Sequence, residues 1–272
     1  MSRIWFAQDL ETVATYWRIA RLDGVTLGFT SHDADLWFDG ILHQAAPGMM
    51  PAAIRRTAGF DDDSAEIQGA ITHDSINSLD LLAGRFDRAT IVVGLVDWQS
   101  LEWQPVYSGV IGAVSDEAES FVAELQSRKS ELQRDPTPRT SPTCRANFCG
   151  PGCGLSAAHY EHEAVLISHD LGGNMVELGM AVTGERVIGG VLRWLDGAYA
   201  GMAMGVMGID GDGLLLDYPI DVPLAAGTRA IVREGCNHTL ASCAERFANV
   251  VNFQGEPFLP GNDLVIRYGV AS

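Results

Sequence analysis

Cys144, Cys153, Cys236 and Cys243 are the side chains of this chain best suited to soft-metal chemistry. They form two pairs, Cys144-x8-Cys153 and Cys236-x6-Cys243, with about eighty residues between the pairs. Four thiolates drawn from two distant loops can share one centre, either a zinc ion or an iron–sulfur cluster. Structural zinc sites usually use knuckles with two to four residues between paired ligands, whereas these two pairs are spaced by eight and six and no CxxC occurs. The wider intervals leave room for the larger bite of a cubane cluster. Gly150-Pro151-Gly152-Cys153-Gly154 adds a loop whose backbone can approach closely. On spacing alone three readings stay open: a cluster, zinc, or thiols with no shared centre. Cys149 lies inside the first loop, as a substitute for Cys144 or as a free thiol.

Other polar groupings carry less chemistry. Asp33-x-Asp35 followed by Asp39-Gly40 has part of a calcium-loop pattern but lacks its terminal Glu, so a strand flanked by acidic turns is the simpler reading. Asp61-Asp62-Asp63 and Asp210-Gly211-Asp212-Gly213 read as solvated turns. His159, Glu161, His162 and Glu163 are too compact for the HExxH arrangement and read as a polar linker face. His32-Asp33 and His73-Asp74 have no accompanying GxSxG nucleophile, and no P-loop or dinucleotide fingerprint is present. No catalytic apparatus is expected.

The elements that must position the cysteines read as mostly β. The 272 residues contain 30 glycines and are 47% hydrophobic, enough for a substantial core divided into two compact units. An amphipathic helix is expected over about Asp9 to Trp17, with Leu10, Val13, Ala14 and Trp17 on one face. Then come hairpins: 16–22 with 25–30 about Asp23-Gly24, and 36–38 with 41–43 about Asp39-Gly40. Further strands are expected at 65–70, 89–98, 105–111 and 121–125. The three-proline run Asp135 to Pro142 opposes helix and interior strand, so a first β-rich domain is placed at 1–135. A linker with the first cysteine loop follows at 136–163, then a second β-rich domain at 164–234. The latter has strands at 181–187, 189–195, 201–208 and 214–218. The cysteine-containing segment 235–272 should carry a short helix from Thr239 to Val251, capped by Asn237 or Thr239, and a closing strand at 264–268.

Charge and hydropathy narrow the partners. Thirty-five acidic against 18 basic residues give a formal net charge of −17, which opposes tight binding to a phosphate backbone. An acidic wall would repel DNA rather than hold it. No stretch approaches the roughly 20 apolar residues of a membrane span, and Met1-Ser2-Arg3-Ile4-Trp5 lacks a secretory h-region. The expectation is a chain with no membrane anchor, made in a reducing cytoplasm where thiols outlast disulfides.

With these residues in view, the chain resembles the tail-tip hub proteins of phages and gene transfer agents (the BR0599-like phage family), related to the tail-tip protein L of lambda-like phages. The resemblance rests on 17-WRIARLDG-24, 28-GFTSHDADL-36, Asp80-Leu81-Leu82-Ala83-Gly84, Leu95-Val96-Asp97-Trp98 and Phe121 to Leu125. Its most specific part runs from Gly235-Cys236-Asn237-His238-Thr239 through Cys243, then Arg246 to Asn249, Asn252 to Pro257, and Pro260-Gly261. The chain departs from the pattern in Phe148-Cys149-Gly150, where relatives more often carry Gly-Asp. The resemblance implies two tube-like β-barrel or sandwich domains and a homotrimer at the distal end of a tail tube. The trimer would join a distal tail protein to a large baseplate or fibre protein around transiting DNA, without binding that DNA specifically. It further implies a [4Fe-4S] cluster on Cys144, Cys153, Cys236 and Cys243, and incorporation into the particle. The competing reading is a cytosolic iron–sulfur or zinc enzyme.

Overall fold

In a computed structural model of the chain the described residues are 10–46, 49–51, 64–70, 76, 78–117, 120–127 and 137–258. The chain divides into two compact units, 1–135 and 136–272. No described helix is long and apolar enough to cross a membrane.

The first unit is a nine-stranded mixed sheet. Its strands are β1 (Val13–Ala20), β2 (Thr26–Thr30), β3 (Leu36–Phe38), β4 (Ile41–Ala45), β5 (Met50–Pro51), β6 (Ser64–Ala70), β7 (Thr90–Asp97), β8 (Trp103–Glu117) and β9 (Ser120–Ser127). They lie in the order β3-β4-β2-β1-β7-β8-β9-β6-β5. The expected hairpins form: Trp17 pairs with Phe29, and Trp37 with Leu42. Asp39 and Gly40, at φ +53° and +74°, make the left-handed turn that a two-residue hairpin loop needs.

The helix expected over Asp9 to Trp17 does not form. A single 3-10 turn at Leu10–Thr12 leads straight into β1. The helical spacing of Leu10, Val13, Ala14 and Trp17 is overridden by a run of β-branched and aromatic residues, which favour a pleated strand. Tyr16 and Trp17 are both fully buried because successive strand residues point to opposite faces. Trp17 joins Ile19, Phe29, Phe86, Ile91, Val93 and Tyr107 in one core. Tyr16 joins Ala14, Leu36, Phe38 and Val96 in another. A short helix, α1 (Ser78–Leu82), is anchored by ion pairs among Arg21, Asp23, Asp80 and Arg85. The acidic residues of the weak calcium pattern are otherwise engaged: Asp35 accepts from the Ala45 N–H and Asp39 pairs with Arg18. Asp61 to Asp63 and His73-Asp74 lie outside the described residues.

The second unit contains a closed six-stranded barrel, β10-β11-β14-β13-β12-β15. Its strands are β10 (Glu161–Asp170), β11 (Met175–Met180), β12 (Val191–Trp194), β13 (Ala203–Asp210), β14 (Gly213–Leu216) and β15 (Arg229–Arg233). Leu166, Val176, Leu192, Trp194, Met204, Val206, Leu214, Leu216, Ala230 and Val232 are buried on alternating positions. The interior is therefore a packed core, as small barrels require. The strand expected at 181–187 is instead a one-turn helix, α2 (Gly184–Val187), entered from an extended Thr183. Residues 161–163, expected to be a linker face, open β10, pairing with 231–233 of β15. His162 there turns towards the buried Glu234, 2.9 Å away, while Glu163 is exposed.

After the barrel, α3 (Leu240–Glu245) starts where expected, with Thr239 Oγ1 accepting from the Ser242 N–H at 3.2 Å. It is shorter than the sequence suggests, because Ala248 takes a left-handed conformation (φ +48°) before a 3-10 turn at Val250–Asn252. The strand expected at 264–268 lies outside the described residues.

Candidate cysteine site

The first cysteine loop and the segment flanking α3 are laced together by their backbones. Cys144 N–H donates to His238 O at 2.8 Å, Arg145 N–H to Gln254 O at 3.0 Å, and Glu256 N–H to Ser141 O at 2.7 Å. Side chains reinforce this seam. Arg145 Nη1 donates to Glu256 Oε2 at 2.6 Å, and Gln254 Nε2 donates to Gly152 O at 3.1 Å. The Arg145 hydrogen bond holds the Glu256 carboxyl below its usual range. A Cβ on Gly255 would sit 2.6 Å from Thr143 O, so the two strands of the seam touch through bare backbone.

This seam encloses a cavity. Its volume is about 20 Å³, it is partly open to solvent, and Cys144, Cys153, Cys236 and Cys243 all line it, with Ala146, Phe148, Leu155, Phe247 and Asn249 among their neighbours. Cys149 is not part of the wall. Its backbone is left-handed (φ +59°), and it lies within electrostatic reach of Arg233, Cys153, Glu161 and Cys236. All five cysteines are free thiols. Among the described residues no group of three or more His, Cys, Asp or Glu side chains could hold a single metal ion. The four thiols share the wall of this one cavity.

Nitrogen donors face three of the four sulfurs. Gln254 N–H donates to Cys144 Sγ at 3.3 Å, His238 N–H to Cys236 Sγ at 3.4 Å, and Asn249 Nδ2 to Cys153 Sγ at 3.6 Å. Such donors stabilise a thiolate against its thiol. Burial pushes the Cys243 thiol up, and the Cys236 thiol too, although the His238 N–H opposes the latter shift. Left alone in this pocket Cys236 and Cys243 hold their protons more firmly, and a metal centre would displace them.

A buried carboxylate fixes the site to the barrel. Glu234, whose side chain is 3% exposed, pairs with Arg246, with His162 Nε2 at 2.9 Å and with Arg186 Nε at 3.2 Å. Burial alone would raise its pKa. Hydrogen bonds from Arg246 and His162, with the charges of Arg186 and Arg246, outweigh that and lower it. Phe148, Tyr160 and Phe247 pack ring to ring, with centroids 4.7 to 5.4 Å apart, closing the loop over β10. Of these supporting residues, the sequence marks His162 as part of a polar face, and Phe148, Arg246 and Phe247 within the stretches compared with the resembling family. The signal for Glu234 was its place just before Gly235-Cys236.

The comparisons bear on this geometry. Residues 4–156, more than half of the chain and including Cys144 and Cys153, match the model of the baseplate hub protein N-terminal attachment domain. The chain belongs to the phage baseplate hub family. Residues 187–263, which carry Cys236 and Cys243, match the phage conserved hypothetical protein BR0599 family. Among solved structures, a chain of the virion of a native gene transfer agent particle is 31% identical, with TM-score 0.82 over 100% of this chain and 97% of that one. No curated protein matches. Membership in the baseplate hub family makes this a structural protein of a phage-like particle.

Proposed function

We propose that this baseplate hub is a component of the tail tip of a phage or gene transfer agent particle, clamped by a [4Fe-4S] cluster on Cys144, Cys153, Cys236 and Cys243. The family match over residues 4–156 carries the hub assignment, and whole-length similarity to a chain from a gene transfer agent virion supports its place in such a particle. The cluster reading rests on four thiols around one cavity, three of them facing nitrogen donors. A zinc ion would need its sulfurs about 2.3 Å from the metal, hence about 3.8 Å apart.

When bound, the cluster would supply four iron–thiolate bonds that cross-link the two segments, besides a capacity for electron transfer. The chain's own part is to present the sulfurs, donate to them and exclude water with Phe148, Leu155 and Phe247. A homotrimer between a distal tail protein and a large baseplate or fibre protein fits a hub. The barrel core is filled, so any DNA passage lies outside the single barrel, where the net charge of −17 discourages specific binding.

Anaerobic purification with iron, sulfide and zinc analysis tests the cofactor. Iron and sulfide in near-equal amounts are expected, lost in Cys236→Ser and kept in Cys149→Ser. A colourless protein with stoichiometric zinc would overturn the cluster. Particles assembling and transferring DNA normally with Cys236→Ser would overturn the clamp.

A further inference from the structure

We infer that Asn249 is the positioning residue of the cysteine site, a side-chain amide that orients Cys153 and donates to its sulfur. The inference rests on the cluster reading above. Asn249 is buried and lines the cavity. Its Nδ2 donates to Cys153 O at 2.8 Å and to Cys153 Sγ at 3.6 Å. The carbonyl of Cys153 can only accept, so the amide nitrogen must face it and the second N–H is available to the sulfur.

The other end of the side chain is held just as firmly. Asn252 Nδ2 donates to Asn249 Oδ1 at 2.8 Å. This leaves Asn249 Nδ2 as the side-chain amide aimed at a ligand sulfur. Thr239, another polar residue of the wall, spends its hydroxyl on Asn237 Oδ1 and the Ser242 N–H. The main chain of Asn249 meets a second ligand residue, its N–H donating to Cys243 O at 2.9 Å across the left-handed Ala248. One residue therefore spans both cysteine pairs.

Hydrogen bonds to cluster sulfurs favour the more electron-rich state and raise the reduction potential, and outer-shell partners hold ligands in place. Asn249→Asp keeps the size and the acceptor for Asn252 but turns the donor into a carboxylate facing Cys153 O and Sγ. In the anaerobically purified full chain, Asn249→Asp should release iron to a chelator roughly 10–100-fold faster than wild type. Its reduction potential should also move to a more negative value. Asn252→Ala, which frees only the far end of the amide, should give a smaller change in the same direction and is the variant to read if Asn249→Asp does not fold. Unchanged release and potential in both variants would overturn the positioning role. So would faster release at an unshifted potential, matched by an equal loss of stability in the metal-free chain. Wild-type protein without iron and sulfide would instead overturn the cluster reading, and the positioning role with it.

Discussion

Gln254 donates its backbone N–H to Cys144 Sγ at 3.3 Å, a contact between residues 110 positions apart. The same stretch returns Arg145 N–H to Gln254 O, so the sulfur sits inside a two-way backbone seam. Part of this seam is independent of the thiols, including the Arg145–Glu256 pair and the Ser141–Glu256 bonds. Extracting the proposed cluster should therefore loosen the seam without dissolving the barrel. Hydrogen exchange after anaerobic chelation should rise in 141–155 and 236–256 and stay slow in β11 to β14. Equal acceleration in both regions would mean that the centre supports the whole unit.

Glu234 is the anchor of that seam on the barrel. Replacing it with Ala strands Arg246 without its carboxylate, and breaking a buried pair in this way costs about 3–5 kcal/mol. Arg186 is half-exposed, and Arg186→Ala should cost less than about 1 kcal/mol. The lowered Glu234 pKa stabilises the fold above the unfolded carboxylate range, and that support is lost as pH falls through the folded value. Denaturant melts of the two variants at neutral pH should differ by several kcal/mol; equal midpoints would show that Glu234 is not the anchor.

Gly235 allows the chain to leave the barrel for the cysteine site. A Cβ there would lie 1.7 Å from Ile188 O and 2.6 Å from Gly190 N, all backbone atoms with no side chain to swing aside. Gly235→Ala should destabilise the second unit by roughly 3 kcal/mol or more, at the upper end of overpacking costs. It should also lower metal content in parallel, because Cys236 moves with it. An Ala variant with wild-type melting and metal content would refute the close approach.

What the sequence could and could not reveal follows the range of the interactions. Asp39-Gly40 announced its hairpin because the turn chemistry is local, and Thr239 announced α3 for the same reason. Leu10, Val13, Ala14 and Trp17 misled, since their helical spacing is equally a strand with both faces buried. Tyr16 and Trp17 had a core on each side that no single-stretch periodicity could reveal. The cysteines were visible as residue types. The cavity that four of them line, with Cys149 left out, depends on a seam between distant segments and appears only in three dimensions.

His43 should make the first unit acid-sensitive. It is fully buried, with its ring stacked on Phe38 at 3.9 Å. Arg18 Nε donates to His43 Nε2 at 3.0 Å, so that nitrogen must be unprotonated, and Nδ1–H donates to Ile41 O at 3.1 Å. Burial, with the Arg18 charge beside it, lowers the His43 pKa from 6.5 to about 4. The unfolded chain therefore binds the proton more readily between those values. The stabilisation is complete above the unfolded pKa near 6.5 and drains away as pH falls towards 4, by about 3 kcal/mol in all. His43→Gln, which has no proton to take up, should flatten this slope while lowering stability at neutral pH. Urea unfolding of both proteins between pH 7 and 4.5 would show it, and an imidazole resonance of His43 titrating near 6.5 in the folded protein would contradict the buried neutral ring.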